Sequence, residues 1–157
     1  RVFRALVYNK GAMVMHMLRG LIGDEAFFSG LRRFYHEWRF EKAGTDALQL
    51  AFEIEAGQPL DRFFERWIHE AGLPELKFSS RTETDPSGEH IVLRFEQRTE
   101  RIFDLPVTVD LTYRSGHEDK IVVPVNARVT EVRIPSQGDL RRVRVNRDYV
   151  ALAEIDE

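Results

Sequence analysis

The sequence contains no cysteine among its 157 residues. Disulfide bonds, thiolate metal ligands and thiol nucleophiles are therefore excluded, and the redox compartment stays undetermined. The sequence also lacks any apolar run close to the roughly 20 residues that a membrane-spanning helix needs. With a net charge of -3, it has no basic excess that would favour a nucleic-acid partner. The remaining composition, 43% apolar and 31% charged residues, is typical of a globular protein.

Complete catalytic and metal-binding motifs are also missing. His36-Glu37 and His69-Glu70 begin like the metal-binding helix motif H-E-x-x-H, but the second His is Phe at position 40 and Leu at position 73. A polar helix face is the favoured interpretation of both pairs. There is no phosphate-binding glycine loop and no G-x-S-x-G nucleophile elbow. Spacing alone therefore predicts no metal ligand and no complete active site.

Two isolated features have structural interpretations. His16 lies among methionines at helical spacing, which favours a packed core histidine over a metal ligand. Arg141, Arg142, Arg144 and Arg147 are interspersed with valines, which favours a solvated strand face. A partner-binding edge is the weaker alternative for these arginines.

The spacing of apolar residues changes near residue 74. Before that point apolar residues recur at helical intervals. The expected buried stripes are Leu6, Met13, Met17 and Leu21; Phe27, Leu31, Phe34, Tyr35 and Trp38; Leu48, Ala51 and Ile54; and Phe63, Phe64, Trp67 and Ile68. Gly23 and Gly57 are placed to end helices, Asp24 and Thr45 to cap them, and Pro59 to begin the last one. The first part is therefore predicted to be a helical bundle.

After residue 75 the period becomes two. Short strands are expected at 91–96, 107–113, 119–125, 128–134, 140–146 and 149–155, separated by turn residues at 85–88, 115–117 and 136–138. About seven such strands with polar residues at alternate positions indicate a small antiparallel β-sandwich. The expected fold is α+β, a helical bundle at 1–74 followed by the β-sandwich at 75–157.

One segment is informative beyond its spacing. Residues 8–12, Tyr-Asn-Lys-Gly-Ala, resemble the Tyr-x-Lys-Gly-Ala segment of the zinc aminopeptidases related to aminopeptidase N and leukotriene hydrolase. The similarity continues in order through residues 22–27, 44–48, 55–60, 63–68 and 72–76. The resemblance implies that residues 1–74 are the helical C-terminal part of a metallopeptidase catalytic domain. Residues 75–157 resemble, in position and strand pattern, the β-sandwich that follows it in many members.

The resemblance also implies a catalytic role for Tyr8. In this family the tyrosine before Lys-Gly points into the active site, where its hydroxyl donates a hydrogen bond to the oxyanion of peptide hydrolysis. A phenol hydroxyl keeps its proton at neutral pH and can donate such a bond. Gly11 lies inside a predicted helix, where Gly costs about 1 kcal/mol relative to Ala. Close approach of another backbone or of the substrate cleft would explain Gly11, and so would packing.

The zinc site implied by the resemblance is not encoded in this chain. In the family, H-E-x-x-H and a later Glu supply the zinc ligands and the general base. They precede the tyrosine segment, so they would lie before Arg1. The chain has no initiator Met and no helix-start signal at Arg1, so we expect it to be part of a longer zinc aminopeptidase that acts on peptides.

The isolated chain is expected to bind no zinc and to be inactive. Without the zinc-bearing helices its helical half should expose an apolar face, which predicts self-association. The alternative is a non-catalytic protein-binding or scaffold module that kept the fold. An upstream sequence without an intact H-E-x-x-H would favour that alternative.

Overall fold

The computed structural model describes residues 8–157, which fall into two compact units. The first unit ends at Ala71 and is helical, and the second, Gly72–Glu157, consists of strands. The predicted fold class, helices followed by a β-sandwich, is confirmed. Leu6, expected in the first helical stripe, lies outside the described residues.

Residues 8 and 9 have a π-helical backbone. After them the helices are α1 Lys10–Trp38, α2 Thr45–Ala56 and α3 Asp61–Phe64, and a π-helical turn, Glu65–His69, directly follows α3. Gly23 interrupts α1 with φ 83° and ψ 163°, as predicted for a helix end. Gly57 ends α2 in the left-handed conformation, with φ 65°, because glycine has no Cβ to clash there. Pro59 precedes α3 instead of beginning it, so that prediction was wrong. No helix within residues 8–157 is both long and apolar enough to cross a membrane.

The buried helical faces differ from the predicted stripes. Val14, Met17, Leu18, Phe27 and Gly30 are buried on α1, and Ala51 and Phe52 on α2. Tyr35, Ile54 and Ile68 were expected in the core but are exposed. A helical stripe shows which residues share a face, whereas the contacts made by the neighbouring helices decide how much of that face is buried.

The second unit is the sandwich. Its strands are β1 Glu75–Asp85, β2 Gly88–Gln97, β3 Leu105–Tyr113, β4 Glu118–Val125, β5 Val129–Pro135, β6 Leu140–Val145 and β7 Glu154–Asp156. One sheet has the order β5-β2-β1-β7 and the other the order β4-β3-β6. The recorded strand pairs are antiparallel except for a short parallel pair between β1 and β7.

The sandwich core is formed by alternate residues at the start of β1 and by consecutive buried residues in β2 and β3. Phe78 on β1 lies opposite Phe95 on β2, with ring centroids 5.0 Å apart. Leu93 and Val107 are fully buried. The predicted turn at residues 85–88 joins β1 to β2, and the Asp85 carboxylate accepts hydrogen bonds from the Ser87 N–H and hydroxyl.

Two strand predictions needed correction. Residues 75–85 form β1 although most of its side chains are polar and exposed, which hides the alternation that identifies a strand. The predicted strand at 149–155 does not form before Glu154. Asn146 and Tyr149 have φ values of 48° and 56°, and the Asn146 amide exchanges hydrogen bonds of 2.9 and 3.0 Å with the backbone of Ala151. These bonds hold a loop where the pattern predicted a strand.

Two polar clusters tie loops to the sandwich. The side chain of Gln97, 1% exposed, donates to the Phe103 carbonyl at 2.8 Å and accepts from the Phe103 N–H at 2.9 Å. The Asp148 carboxylate pairs with Lys120 at 2.6 Å and accepts from the Thr108 hydroxyl. Partial burial raises the pKa of Asp148, but the hydrogen bonds from Lys120 and Thr108 outweigh burial and lower that pKa overall.

Candidate functional site

Tyr8 lies just before α1, two residues ahead of its first residue, Lys10. Its side chain is 65% exposed, so a group in solution can reach it. One turn after Lys10 the helix begins to pack against the helical unit, where Val14, Met17 and Leu18 are buried. The segment that carries Tyr8 therefore leads directly into a firmly packed helix.

Gly11 opens onto a cavity. Apart from its own helix backbone, a Cβ atom at this position would meet no atom of the described residues within 4 Å, so no described neighbour packs where a side chain would begin. The cavity has a volume of about 440 Å³. It is lined by Lys10, Gly11, Val14, Met15, Trp67 and Ile68. The structure therefore offers no support for the packing explanation of Gly11 and places it beside open space.

An ion pair spans the break in α1 at Gly23. The guanidinium of Arg19 donates to both carboxylate oxygens of Asp24, at 2.7 and 2.8 Å, and lies over the ring of Phe28 with 5.0 Å to its centroid. The bond from Arg19 lowers the pKa of Asp24. Asp24 was predicted to cap a helix, and its carboxylate instead binds the preceding helical segment.

A second concavity in the helical unit is polar. It measures about 560 Å³ and is lined by Asp46, Gln49, Asp61, Arg62, Glu65, Arg66 and His69. The Gln49 amide donates to Glu53 at 2.9 Å and to Asp61 at 3.2 Å. Glu53 also accepts from the Leu60 N–H at 2.7 Å, immediately before α3. These bonds fasten α2 to the start of α3, and the sequence pattern did not reveal them.

The described residues do not fit a zinc ion. Residues 8–157 contain no group of three or more His, Asp or Glu side chains able to hold a metal. Of the two His-Glu pairs, Glu37 accepts from Arg33 at 3.1 Å and Glu70 pairs with Arg66. Both carboxylates belong to ion pairs along a helical segment, as the polar-face interpretation of these pairs implies.

The two isolated sequence features have different outcomes. His16 is exposed on α1, so the expectation of a packed core histidine was wrong. The buried positions around it are Val14, Met17 and Leu18, which leave His16 on the opposite side of the helix. Arg141, Arg142 and Arg144 lie on β6 and are exposed, as predicted for a solvated strand face.

Comparison with known families places the helical unit. Residues 1–67 match the Peptidase family M1 domain. Tricorn protease-interacting factor F2 of Thermoplasma volcanium is 35% identical over 77 residues, which is 49% of this chain and 10% of that protein. Glutamyl aminopeptidase of Bitis rhinoceros is 24% identical over 165 residues, covering 99% of this chain and 17% of that protein.

The chain is related to the M1 aminopeptidases. A solved structure of Legionella pneumophila aminopeptidase A, in complex with aspartic acid, matches 98% of this chain and 18% of its own with a TM-score of 0.82. Because the two sequences are only 21% identical, this match supports the fold and carries no conclusion about function. The chain thus spans less than a fifth of the length of these M1 relatives.

The M1 match and the geometry bear on different parts of the candidate site. Tyr8, Lys10 and Gly11 all lie within the matched residues 1–67. Tyr8 was identified by resemblance, because an exposed tyrosine before a helix has no chemical signature of its own. The cavity beside Gly11 and the Gln49–Glu53 network required the folded chain to be recognised.

Proposed function

We propose that the whole protein containing this chain is a zinc-dependent aminopeptidase that removes N-terminal residues from peptides. The observation that carries the proposal is the match of residues 1–67 to the Peptidase family M1 domain. Glutamyl aminopeptidase of Bitis rhinoceros and aminopeptidase N of Lactococcus lactis, which this chain matches over part of their length, are named as aminopeptidases, and this supports peptides as substrates of the whole protein. The implied zinc would be held by parts of the protein outside this chain, since residues 8–157 do not fit it.

In this proposal Tyr8 is the catalytic residue of the chain. Attack on a peptide carbonyl produces a tetrahedral oxyanion, and a hydrogen-bond donor aimed at that oxygen stabilises it more than the starting carbonyl. The Tyr8 hydroxyl is such a donor. Its 65% exposure and its place before a buried helical stripe are compatible with presenting the hydroxyl to a substrate.

The isolated chain is proposed to be inactive. One oxyanion donor provides neither a metal nor a base, and these supply the attacking nucleophile in peptide hydrolysis by metallopeptidases. Stoichiometric zinc binding by the purified 157-residue chain, accompanied by turnover of an aminoacyl anilide, would contradict this part of the proposal.

The test compares two tyrosine variants of the whole protein. Tyr8→Phe removes only the hydroxyl, and kcat is expected to fall about 100- to 1000-fold while KM changes little. Tyr35→Phe is the matched control because Tyr35 is on α1 and is also 65% exposed. That variant should keep its activity within about two-fold.

The outcomes separate the role of Tyr8 from the activity itself. Equal kcat values for the Tyr8→Phe variant and the unmodified enzyme would remove Tyr8 from the mechanism and leave the aminopeptidase proposal standing. A folded whole protein that hydrolyses no aminoacyl anilide or peptide would refute the enzymatic proposal. The non-catalytic scaffold module would then be the better explanation of the M1 match.

A further inference from the structure

Over most of its length, one edge of β1 is paired with no strand among residues 8–157. β2 pairs with β1 from Leu76 to Asp85. On the other side β7 pairs with β1 only at residues 75–77. From Phe78 to Asp85, therefore, no strand among residues 8–157 occupies that side of β1. Such an edge presents backbone donors and acceptors to any extended chain of matching register.

The hydrogen bonds at the start of β1 show which of its residues face outward. Glu75 accepts from the Arg98 N–H on the β2 side, at 2.8 Å. Pro74 accepts from the Glu154 N–H on the β7 side, at 3.0 Å. Because successive backbone groups of a strand point to opposite sides, odd-numbered residues bond to β2 and even-numbered residues face the open edge. Ser80, Thr82 and Thr84 are exposed even-numbered residues of this edge.

The charges along this edge are self-complementary. Thr82 lies between Arg81 and Glu83, whose side chains are 48% and 42% exposed. If β1 meets a second copy of itself antiparallel with Thr82 opposite Thr82, Arg81 of each copy faces Glu83 of the other. Ser80 then faces Thr84. The outward backbone groups of the facing residues are in phase for reciprocal N–H···O=C bonds.

Neighbouring registers lose this match. A shift of the two-fold axis by one residue along β1 places Arg81 opposite Arg81 in one direction and Glu83 opposite Glu83 in the other. Like charges directly opposite each other destabilise a strand pair. These shifted registers still place even-numbered residues opposite even-numbered residues, so they keep the backbone phase, and the charges favour the register centred on Thr82. The existing Arg81–Glu83 and Arg81–Glu131 pairs are exposed, and exposed pairs exchange partners at little cost.

We propose that the protein forms a two-fold dimer in which the β1 edges of two copies pair antiparallel about Thr82. Such a contact is isologous, because the same surface patch is used on both copies. It joins the two β5-β2-β1-β7 sheets into one continuous sheet and covers both open edges. The binding partner is a second copy of this chain, and the contact lies entirely within the sandwich unit.

The first test removes one backbone donor. Thr82→Pro deletes the outward N–H of Thr82, which β2 does not use, and proline is tolerated on a strand edge. Sedimentation equilibrium of the 157-residue chain over a concentration series should show a species of twice its 18.3 kDa mass. The Thr82→Pro variant should raise the dimer dissociation constant about ten-fold or more. The control Thr82→Val keeps the N–H and should stay within about two-fold.

The second test uses charge reversal. Arg81→Glu and Glu83→Arg each place like charges opposite each other in a homodimer, and each alone should weaken dimerisation. An equimolar mixture of the two variants restores both opposite-charge pairs and should form a heterodimer more strongly than either variant forms a homodimer. Far-UV circular dichroism of each variant confirms that the fold is kept.

Three results would overturn the proposal. The unmodified chain could remain monomeric throughout the concentration series. Its dimer could be insensitive to Thr82→Pro, which would place the contact elsewhere, for example at the exposed Leu50 and Ile54 of α2. The mixture of charge variants could dimerise no better than its components. None of these results depends on whether the whole protein is a peptidase.

Discussion

Replacing Gly30 with Ala is expected to destabilise the helical unit, although Ala is the better helix former. A Cβ at position 30 would lie 2.5 Å from Cδ1, 3.0 Å from Cε1 and 3.2 Å from Cα of Phe52. Carbon atoms in favourable contact are about 3.5–4.0 Å apart. The overlap with the ring is therefore about 1 Å, and the overlap with the Phe52 backbone is a few tenths of an ångström.

The Phe52 ring has little freedom to move away. It is 0% exposed and stacks on Phe27 with centroids 5.3 Å apart, so rotating it disturbs a second buried contact. Moving the Phe52 backbone requires a shift of α2 against α1. Overpacking of this kind costs about 1–3 kcal/mol, whereas the Gly-to-Ala change in a helix offsets about 0.5–1 kcal/mol. The net loss of unfolding free energy is expected to be about 1–2 kcal/mol.

Gly11→Ala is the matched control in the same helix. Apart from its own helix backbone, the described residues place no atom within 4 Å of a Cβ at position 11. The backbone preference is therefore the main effect, and this variant should gain about 0.4–1 kcal/mol of unfolding free energy. Urea unfolding followed by the helical far-UV signal reports both free energies. Both substitutions exchange Gly for Ala in α1. Changes of opposite sign in the unfolding free energy would therefore isolate the effect of the contact with Phe52.

A Gly30→Ala variant as stable as the Gly11→Ala variant would refute the reasoning, because it would mean that the gap between α1 and α2 is wide enough for a methyl group. A double variant sharpens the test. Phe52→Leu removes the ring atoms that overlap. In the Phe52→Leu background the loss of unfolding free energy caused by Gly30→Ala should therefore be smaller by at least about 0.5 kcal/mol than in the unmodified chain. Additive effects of the two substitutions would indicate that they do not share this contact.

Two further predictions concern the polar clusters of the sandwich. Gln97→Met keeps the side-chain volume but leaves the Phe103 N–H without its 2.9 Å acceptor, which should cost about 1–3 kcal/mol; a thermal midpoint equal to that of the unmodified chain would contradict this. Asp148 has a lowered pKa in the fold, so its carboxylate stabilises the fold above about pH 4, its unfolded pKa, and this contribution is lost as pH falls through the lowered pKa. The Asp148→Asn variant should therefore be less stable at neutral pH and lose less stability on acidification. Hydrogen exchange of β3 amides against pH measures this, and parallel profiles for the two proteins would contradict it.

Local signals in the sequence predicted the elements and many of their ends. The change from a helical period to a period of two separated the helices from the strands, because side chains repeat every 3.6 residues in one and every second residue in the other. Gly23 and Gly57 interrupt or end helices in the structure. The turn at residues 85–88 is also where the sequence predicted it. These features depend on backbone preferences within a few residues.

The candidate site was predictable only in part. Tyr8 and its proposed role came from the order of short segments that resemble the M1 aminopeptidases, and no spacing rule would have selected it. The cavity beside Gly11 was not predictable, because it is formed by residues from α1 and from the π-helical turn, more than fifty positions apart in the chain. The prediction that His16 is buried was wrong because the spacing of apolar residues does not show which side of the helix contacts its neighbours.

What the order of amino acids decides here is the α+β division, the turns and the relation to M1 peptidases, since these reside in local patterns. The tertiary structure alone decides that Gly30 meets Phe52 and that β7 runs parallel to β1 over a short stretch. It also decides that no strand among residues 8–157 pairs with the rest of that β1 edge. Such contacts join residues distant in sequence, and their geometry depends on the packing of whole elements against one another.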